Sequence, residues 1–138
     1  MKQVYVEING NVTTDGDTDR MSYSTEGQLY KKSGKFYINY PEGELLGRER
    51  CSTTLKVAPD GVVTMLRSGE TNTRMVFEKG QCHMSCYETP FGNLTVSVTA
   101  NDVSIDMNEN GGVLDLDYNL TINNTAHSRN RLSIKVRS

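Results

Sequence analysis

Along GVLDLDYNLTIN, residues 112–123, Leu114, Leu116, Tyr118, Leu120 and Ile122 alternate with Asp115, Asp117, Asn119, Thr121 and Asn123. A period of two is the signature of a strand with one dry face and one wet face. The same beat runs through Val4, Val6, Ile8; through Phe36, Ile38, Tyr40; through Leu94, Val96, Val98, Ala100; and through Leu132, Ile134, Val136. Apolar residues at helical spacing are sustained nowhere. The beat slips once. Apolar positions are even-numbered up to Ala100 and odd-numbered at Val103, Ile105 and Met107, which predicts an extra residue, as a bulge or sharp bend, around Asn101-Asp102.

Turn signals separate these runs at Asn9-Gly10, Ser33-Gly34, Asp60-Gly61, Ser68-Gly69, Lys79-Gly80, Pro90 to Gly92, Asn110-Gly111 and Asn123-Asn124. They recur roughly every 8 to 14 residues, the spacing of hairpin-built all-β folds. Short connections favour pairing between sequence neighbours. The expected fold is all-β: a single antiparallel meander barrel of about eight to ten strands, closed so that few edges stay exposed. A two-sheet sandwich is the alternative. No repeat, linker or low-complexity stretch divides the chain, so one domain is expected over residues 1–138.

Composition agrees with a packed domain and narrows the setting. Apolar residues make up 36% and charged residues 23% of the chain, too balanced for disorder. No apolar run approaches the ~20 residues of a membrane helix. The first twenty residues lack the charged, apolar and small-residue blocks of a secretion signal, so a cytoplasmic location is expected, with no membrane partner. Three cysteines, Cys51, Cys82 and Cys86, fit reduced thiols better than a disulfide framework. A net charge of −2 makes nucleic acid an unexpected partner.

Three stretches invite chemistry. Asp15 to Glu26, DGDTDRMSYSTE, places acids where an EF-hand loop has them, but the sixth position, where that loop needs glycine, is Arg20. The alternation on both sides extends the chain, so that Glu26 would stand roughly 20 Å from Arg20. An Asp-rich hairpin connection over Thr13 to Asp19 is what remains. In CHMSC, Cys82 and Cys86 share a strand face but stand roughly 13 Å apart, too far to chelate a metal together. Cys82, Met84 and Cys86 then read as a small apolar face. In HSRNRLSIKVRS, Arg129, Arg131, Lys135 and Arg137 form a basic stripe without the aromatics that stack on bases, as a solvated strand face would. Serine-nucleophile, phosphate-loop and dinucleotide motifs are absent, and no cofactor, metal or enzymatic activity is expected.

Taken in order, Glu26-Gly27, INYPE (Ile38 to Glu42), VTMLRSG (Val63 to Gly69), YETPFG (Tyr87 to Gly92) and VLDLDYNL (Val113 to Leu120) resemble the YwiB-like family of small bacterial proteins over nearly the whole chain. That resemblance implies a calycin-like or lipocalin-like barrel of unknown function, and it draws attention to Glu26, Tyr40, Glu42, Arg67, Tyr87, Thr89 and Tyr118. Parity places Glu42 on the face of Ile38 and Tyr40, and Arg67 on the face of Val63 and Met65. Arg67 and Glu42 are therefore expected to pair inside or at the rim of the barrel, near Tyr87 or Tyr118. Such a pair would serve as a structural latch or as the polar anchor of a ligand. Tyr87 and Thr89 have the parity of His83, opposite to Cys82, Met84 and Cys86, so one of the two face assignments on that strand has to give way or the strand shifts phase.

Two functions follow. In the first, the barrel holds a small apolar or acidic ligand against Arg67, Glu42, Tyr40, Tyr87, Thr89 and Tyr118, in a cavity of at least ~300 Å³. In the second, a filled barrel packed with Leu114, Leu116 and Leu120 serves as a structural or interaction protein, for instance as a homodimer.

Overall fold

The computed structural model describes residues 2–41, 52–68, 72–89, 92–123 and 126–138, and the backbone alone of 86–89 and 126. Ten strands follow one another: β1 (Lys2–Thr14), β2 (Asp17–Lys32), β3 (Lys35–Pro41), β4 (Ser52–Val57), β5 (Val63–Ser68), β6 (Thr73–Phe77), β7 (Cys82–Thr89), β8 (Gly92–Asn108), β9 (Gly111–Ile122) and β10 (Ala126–Arg137). Every pairing is antiparallel, in the order β6-β5-β4-β3-β2-β1-β10-β9-β8-β7. This is a meander in which the two terminal strands pair with each other, and the hydrogen-bonded order ends at β6 and β7. Those two strands lie in contact. The result is a nearly closed barrel. Among the described residues there is no helix, hence none long and apolar enough to cross a membrane.

The dry face of each strand points inward. Val4, Val6, Ile8, Ile38, Leu55, Val63, Phe77, Val96, Leu114 and Ile134 are fully buried in one core. The slip in the beat is real: Ala100 pairs with Tyr118 and Asp102 with Asp117, so Asn101 is an extra residue and the inward parity changes across it. Past this bulge Val103, Ile105 and Met107 pack against the core.

Two expectations about β1 and β2 are corrected. Asn9-Gly10 is no turn: Gly10 sits mid-strand, opposite Met21 on β2 and Leu132 on β10. Nor is the connection a loop over Thr13 to Asp19, because pairing continues to Thr14 and Asp17. Only Asp15 and Gly16 turn, with φ of 51° and 85°, the two left-handed residues of a type I′ hairpin, whose twist matches the strands. The acids of this stretch are thereby spread along extended chain.

A third correction concerns β7. Its register with β8 runs without a shift from Cys82↔Thr99 to Thr89↔Gly92, and sets His83 opposite Val98 and Ser85 opposite Val96. Val96 and Val98 are core residues, so His83 and Ser85 take the inward parity. Cys82 and Met84 face out instead, Met84 being 68% exposed. Of the apolar face expected at Cys82, Met84 and Cys86, the first two are therefore on the outside, and the Cys86 side chain lies outside the described residues.

Candidate functional site

Antiparallel neighbours alternate direction, so the barrel has a lower end, with the turns at Ser33-Gly34 and Lys79-Gly80, and an upper end where β3, β5 and β7 finish. On β1, β5, β6 and β9 the inner face is buried toward the lower end and more open toward the upper one, whereas on β3 and β8 the half-buried inner residues, Phe36 and Met107, are the lower ones. On β1, Val4, Val6 and Ile8 are at most 1% exposed, whereas Val12 is 39% exposed. On β5, Val63 and Met65 are buried and Arg67 is half-buried; on β6, Phe77 and Met75 are buried and Thr73 is half-buried.

At the upper margin of the core, one rung crosses four strands. Tyr40 on β3 pairs with Thr53 on β4, Thr53 with Arg67 on β5, and Arg67 with Thr73 on β6. Tyr40 and Thr53 are buried at 1% and 0%. Gly27 on β2 continues the rung at closest range: a Cβ there would lie 3.2 Å from Tyr40 Cβ and 2.5 Å from the Asn39 carbonyl oxygen. Apolar residues would be the default at such inner positions. Instead, Thr53 Oγ1, Thr73 Oγ1 and Ser85 Oγ are shielded from solvent and bonded to no protein group, and Arg67 Nε is buried beside them. Each unsatisfied buried hydroxyl costs about 1–3 kcal/mol, so three of them are a costly arrangement for a purely structural wall. Thr73 and Ser85 stand on the two strands that flank the gap in the hydrogen-bonded order.

The sequence-predicted residues divide as follows. Tyr40 and Arg67 are brought together on this rung, each joined to Thr53. Tyr118 is inward-facing and packs its ring edge-on against Phe77, at 4.8 Å between centroids, at the opposite end of β6 from Thr73. Glu42 lies outside the described residues, as do the side chains of Tyr87 and Thr89; residue 87 pairs with Leu94 and residue 89 with Gly92. The pairing of Glu42 with Arg67 therefore falls outside the described residues too. Glu26 faces outward and accepts a hydrogen bond from Gln3 Nε2 at 3.2 Å. Thr53, Thr73 and Ser85 were missed by sequence reasoning, since hydroxyl residues on strands give no signal until cross-strand register is known.

The basic stripe of β10 lies on the outer face and is partly neutralised. Arg129 donates to both carboxylate oxygens of Asp117, from Nε at 3.2 Å and Nη2 at 2.9 Å. Arg131 Nε lies 3.5 Å from Asp117, and Asn101 Nδ2 donates to the same carboxylate at 3.3 Å. The Arg129 bonds, with those of Asn101 and the charge of Arg131, hold the Asp117 carboxyl below the usual aspartate range, against the opposing effect of its partial burial. An outer cavity of about 460 Å³ opens here, between Asn11, Asp115, Asp117, Arg131 and Ser133. It has the size expected of a ligand pocket, but apart from Leu116 and Leu132 its lining is polar, and Arg67 is not part of it.

A family described as a domain of unknown function (DUF1934) matches residues 6–134. The chain is 25% identical over 137 residues to the uncharacterised β-barrel protein YwiB of Bacillus subtilis (strain 168), covering 97% of this chain and 94% of that protein. The crystal structure of the ywiB protein from Bacillus subtilis superposes with a TM-score of 0.86 at 23% identity, covering 99% of this chain and 91% of that one. The likeness carries the fold and no activity.

Proposed function

The chain belongs to the DUF1934 family, a domain of unknown function, and on that premise we propose that its barrel binds a small ligand through the upper end, holding an acidic group of that ligand on the Thr53–Arg67–Thr73 rung. The observation that supports this is the set of three shielded hydroxyls, on Thr53, Thr73 and Ser85, bonded to no protein group. A carboxylate accepts hydrogen bonds from hydroxyls and from a guanidinium at once, and charge-assisted bonds of that kind are the strong ones. The apolar layer beneath, with Ile38, Leu55, Met65 and Met75 buried, supplies a floor. The rung offers groups that hold a charge, and the reading is one of binding without catalysis.

A second reading keeps the barrel filled and ligand-free, acting through its outer surface on a partner or a second copy. It draws on the dense lower half, where Phe77, Leu114 and Ile134 are fully buried.

Native mass spectrometry of the purified protein, with and without added octanoate, separates the two. Under the ligand reading one acid adduct forms per barrel, and it is lost in Arg67→Met and in Thr53→Val while both variants stay folded. Wild-type protein that takes up no acid, or variants that keep the adduct, would sink it. A drop in melting temperature with uptake unchanged would mark Arg67 as a latch.

A further inference from the structure

Above the rung, the dry face of the sheet carries two exposed apolar side chains, Val12 and Met21, next to residues that pack against the edge of the core. β1 and β2 pair with each other as far as Thr14 and Asp17, whereas β3 joins β2 only from Gln28 onward. The β1–β2 hairpin therefore rises past the described part of β3. Its inner side keeps the parity of Val4, Val6 and Ile8, and there Val12 and Met21 are 39% and 37% exposed, next to half-buried Tyr23. Across the sheet, Leu120 and Ile122 of β9 are half-buried on the same inner face. Alternation normally gives water the polar face, so apolar residues exposed on the dry one mark a surface that something else covers. Exposed apolar side chains thus stand on β1 and β2, and Arg67 with the shielded hydroxyls on β4 to β7.

What covers it is set by the charge and hydrogen-bonding groups at its base. The rung meets β2 at Gly27, and from Gly27 to Met21 the strand climbs about 20 Å; an extended chain of roughly twelve to fourteen carbons is about 14–16 Å long, and the hydrogen-bond distance at the rung with the reach of the Met21 side chain makes up the rest. We infer that the ligand is an amphipathic monocarboxylate with an unbranched chain. Its carboxylate lies on the Thr53–Arg67–Thr73 rung and its chain along Val12, Met21 and Tyr23. The assignment rests on the function proposed above and adds the chemical class of ligand and the wall that reads it.

Isothermal titration of the whole protein with butanoate and with dodecanoate, below its micellar range, tests this. Dodecanoate should bind one equivalent, and butanoate about a hundredfold more weakly or worse, because each buried methylene contributes to affinity. Combining Val12→Asp with Met21→Asp should weaken dodecanoate at least about tenfold and leave butanoate unchanged. If the double variant does not fold, Met21→Ser alone carries the comparison. Equal affinity for the two acids, or dodecanoate binding indifferent to the hairpin variants, overturns the chain assignment and leaves the carboxylate site standing. Failure of both acids to bind overturns the two together.

Discussion

Thr53 is fully buried and its hydroxyl has no protein partner, so the side chain bears a desolvation cost with nothing offsetting it. Valine has nearly the same shape without the hydroxyl. Thr53→Val is accordingly expected to raise the stability of ligand-free protein by about 1 kcal/mol, or roughly 3–5 °C in Tm by calorimetry, while it weakens acid uptake. A fall in Tm would mean that the hydroxyl is satisfied in solution and the rung is ordinary wall. Gly27 has the opposite character: a methyl group there would meet the Asn39 carbonyl at 2.5 Å and Val6 Cγ2 at 3.1 Å, both in the packed wall. Gly27→Ala should cost about 2–3 kcal/mol in denaturant unfolding. Asp117 supplies the pH dependence. Its folded-state pKa is depressed, chiefly by Arg129, so its contribution is present above the unfolded aspartate value and is lost as pH falls through the folded one. Asp117→Asn should lower Tm near neutral pH, and the gap to wild type should close below about pH 4. A gap constant from pH 7 to pH 3 would show that the carboxylate charge is not what matters.

At the scale of elements, β8 shows how a sequence specifies a curved strand. Asn101 is the unpaired residue between Ala100↔Tyr118 and Asp102↔Asp117. Deleting Asn101 leaves every other pair in place and keeps each side chain on its own face; only the bend and the Asn101 bonds to Asp117 and Asn119 are lost. Deleting Ser97, four residues earlier, instead turns residues 92–96 inside out against both neighbouring strands. The Asn101 deletion should yield folded, less stable protein by circular dichroism and the Ser97 deletion none; equal outcomes would contradict the bulge. This bend was legible because Ala100 and Val103 are both apolar and differ in parity. The alternation that revealed the strands was less informative about which face is which. On β7 it offered Cys82, Met84 and Cys86 against His83 and Ser85, and side-chain polarity pointed the wrong way. The choice is made by Val96 and Val98 across the ladder, and Met84 is tolerated outside on a strand that ends the hydrogen-bonded order. The site divides along the same line: Arg67 could be placed inward from Val63 and Met65 on its own strand. Its neighbours Thr53 and Thr73 needed the register between strands, which no single segment encodes.

The whole molecule has one mechanical asymmetry. Among the described residues, nine of the ten neighbour contacts around the barrel are hydrogen-bonded ladders, including the one between the first and last strands, and the tenth, between β6 and β7, is not. Opening by sliding or fraying should therefore begin there, since edge strands lose least when they detach. In hydrogen exchange, amides of β1, β9 and β10 should exchange only through global unfolding, and those of β6 and β7 earlier. Thr73 and Ser85 sit on the two sides of this seam, and both present unpartnered hydroxyls. A carboxylate that accepts from both would bridge the gap that the backbone leaves, making the ligand part of the barrel's closure. Saturating the protein with dodecanoate should then slow exchange in β6 and β7 more than in β1 or β10. Uniform protection of all ten strands would reflect a simple shift of the global equilibrium by mass action, with the ligand held away from the seam.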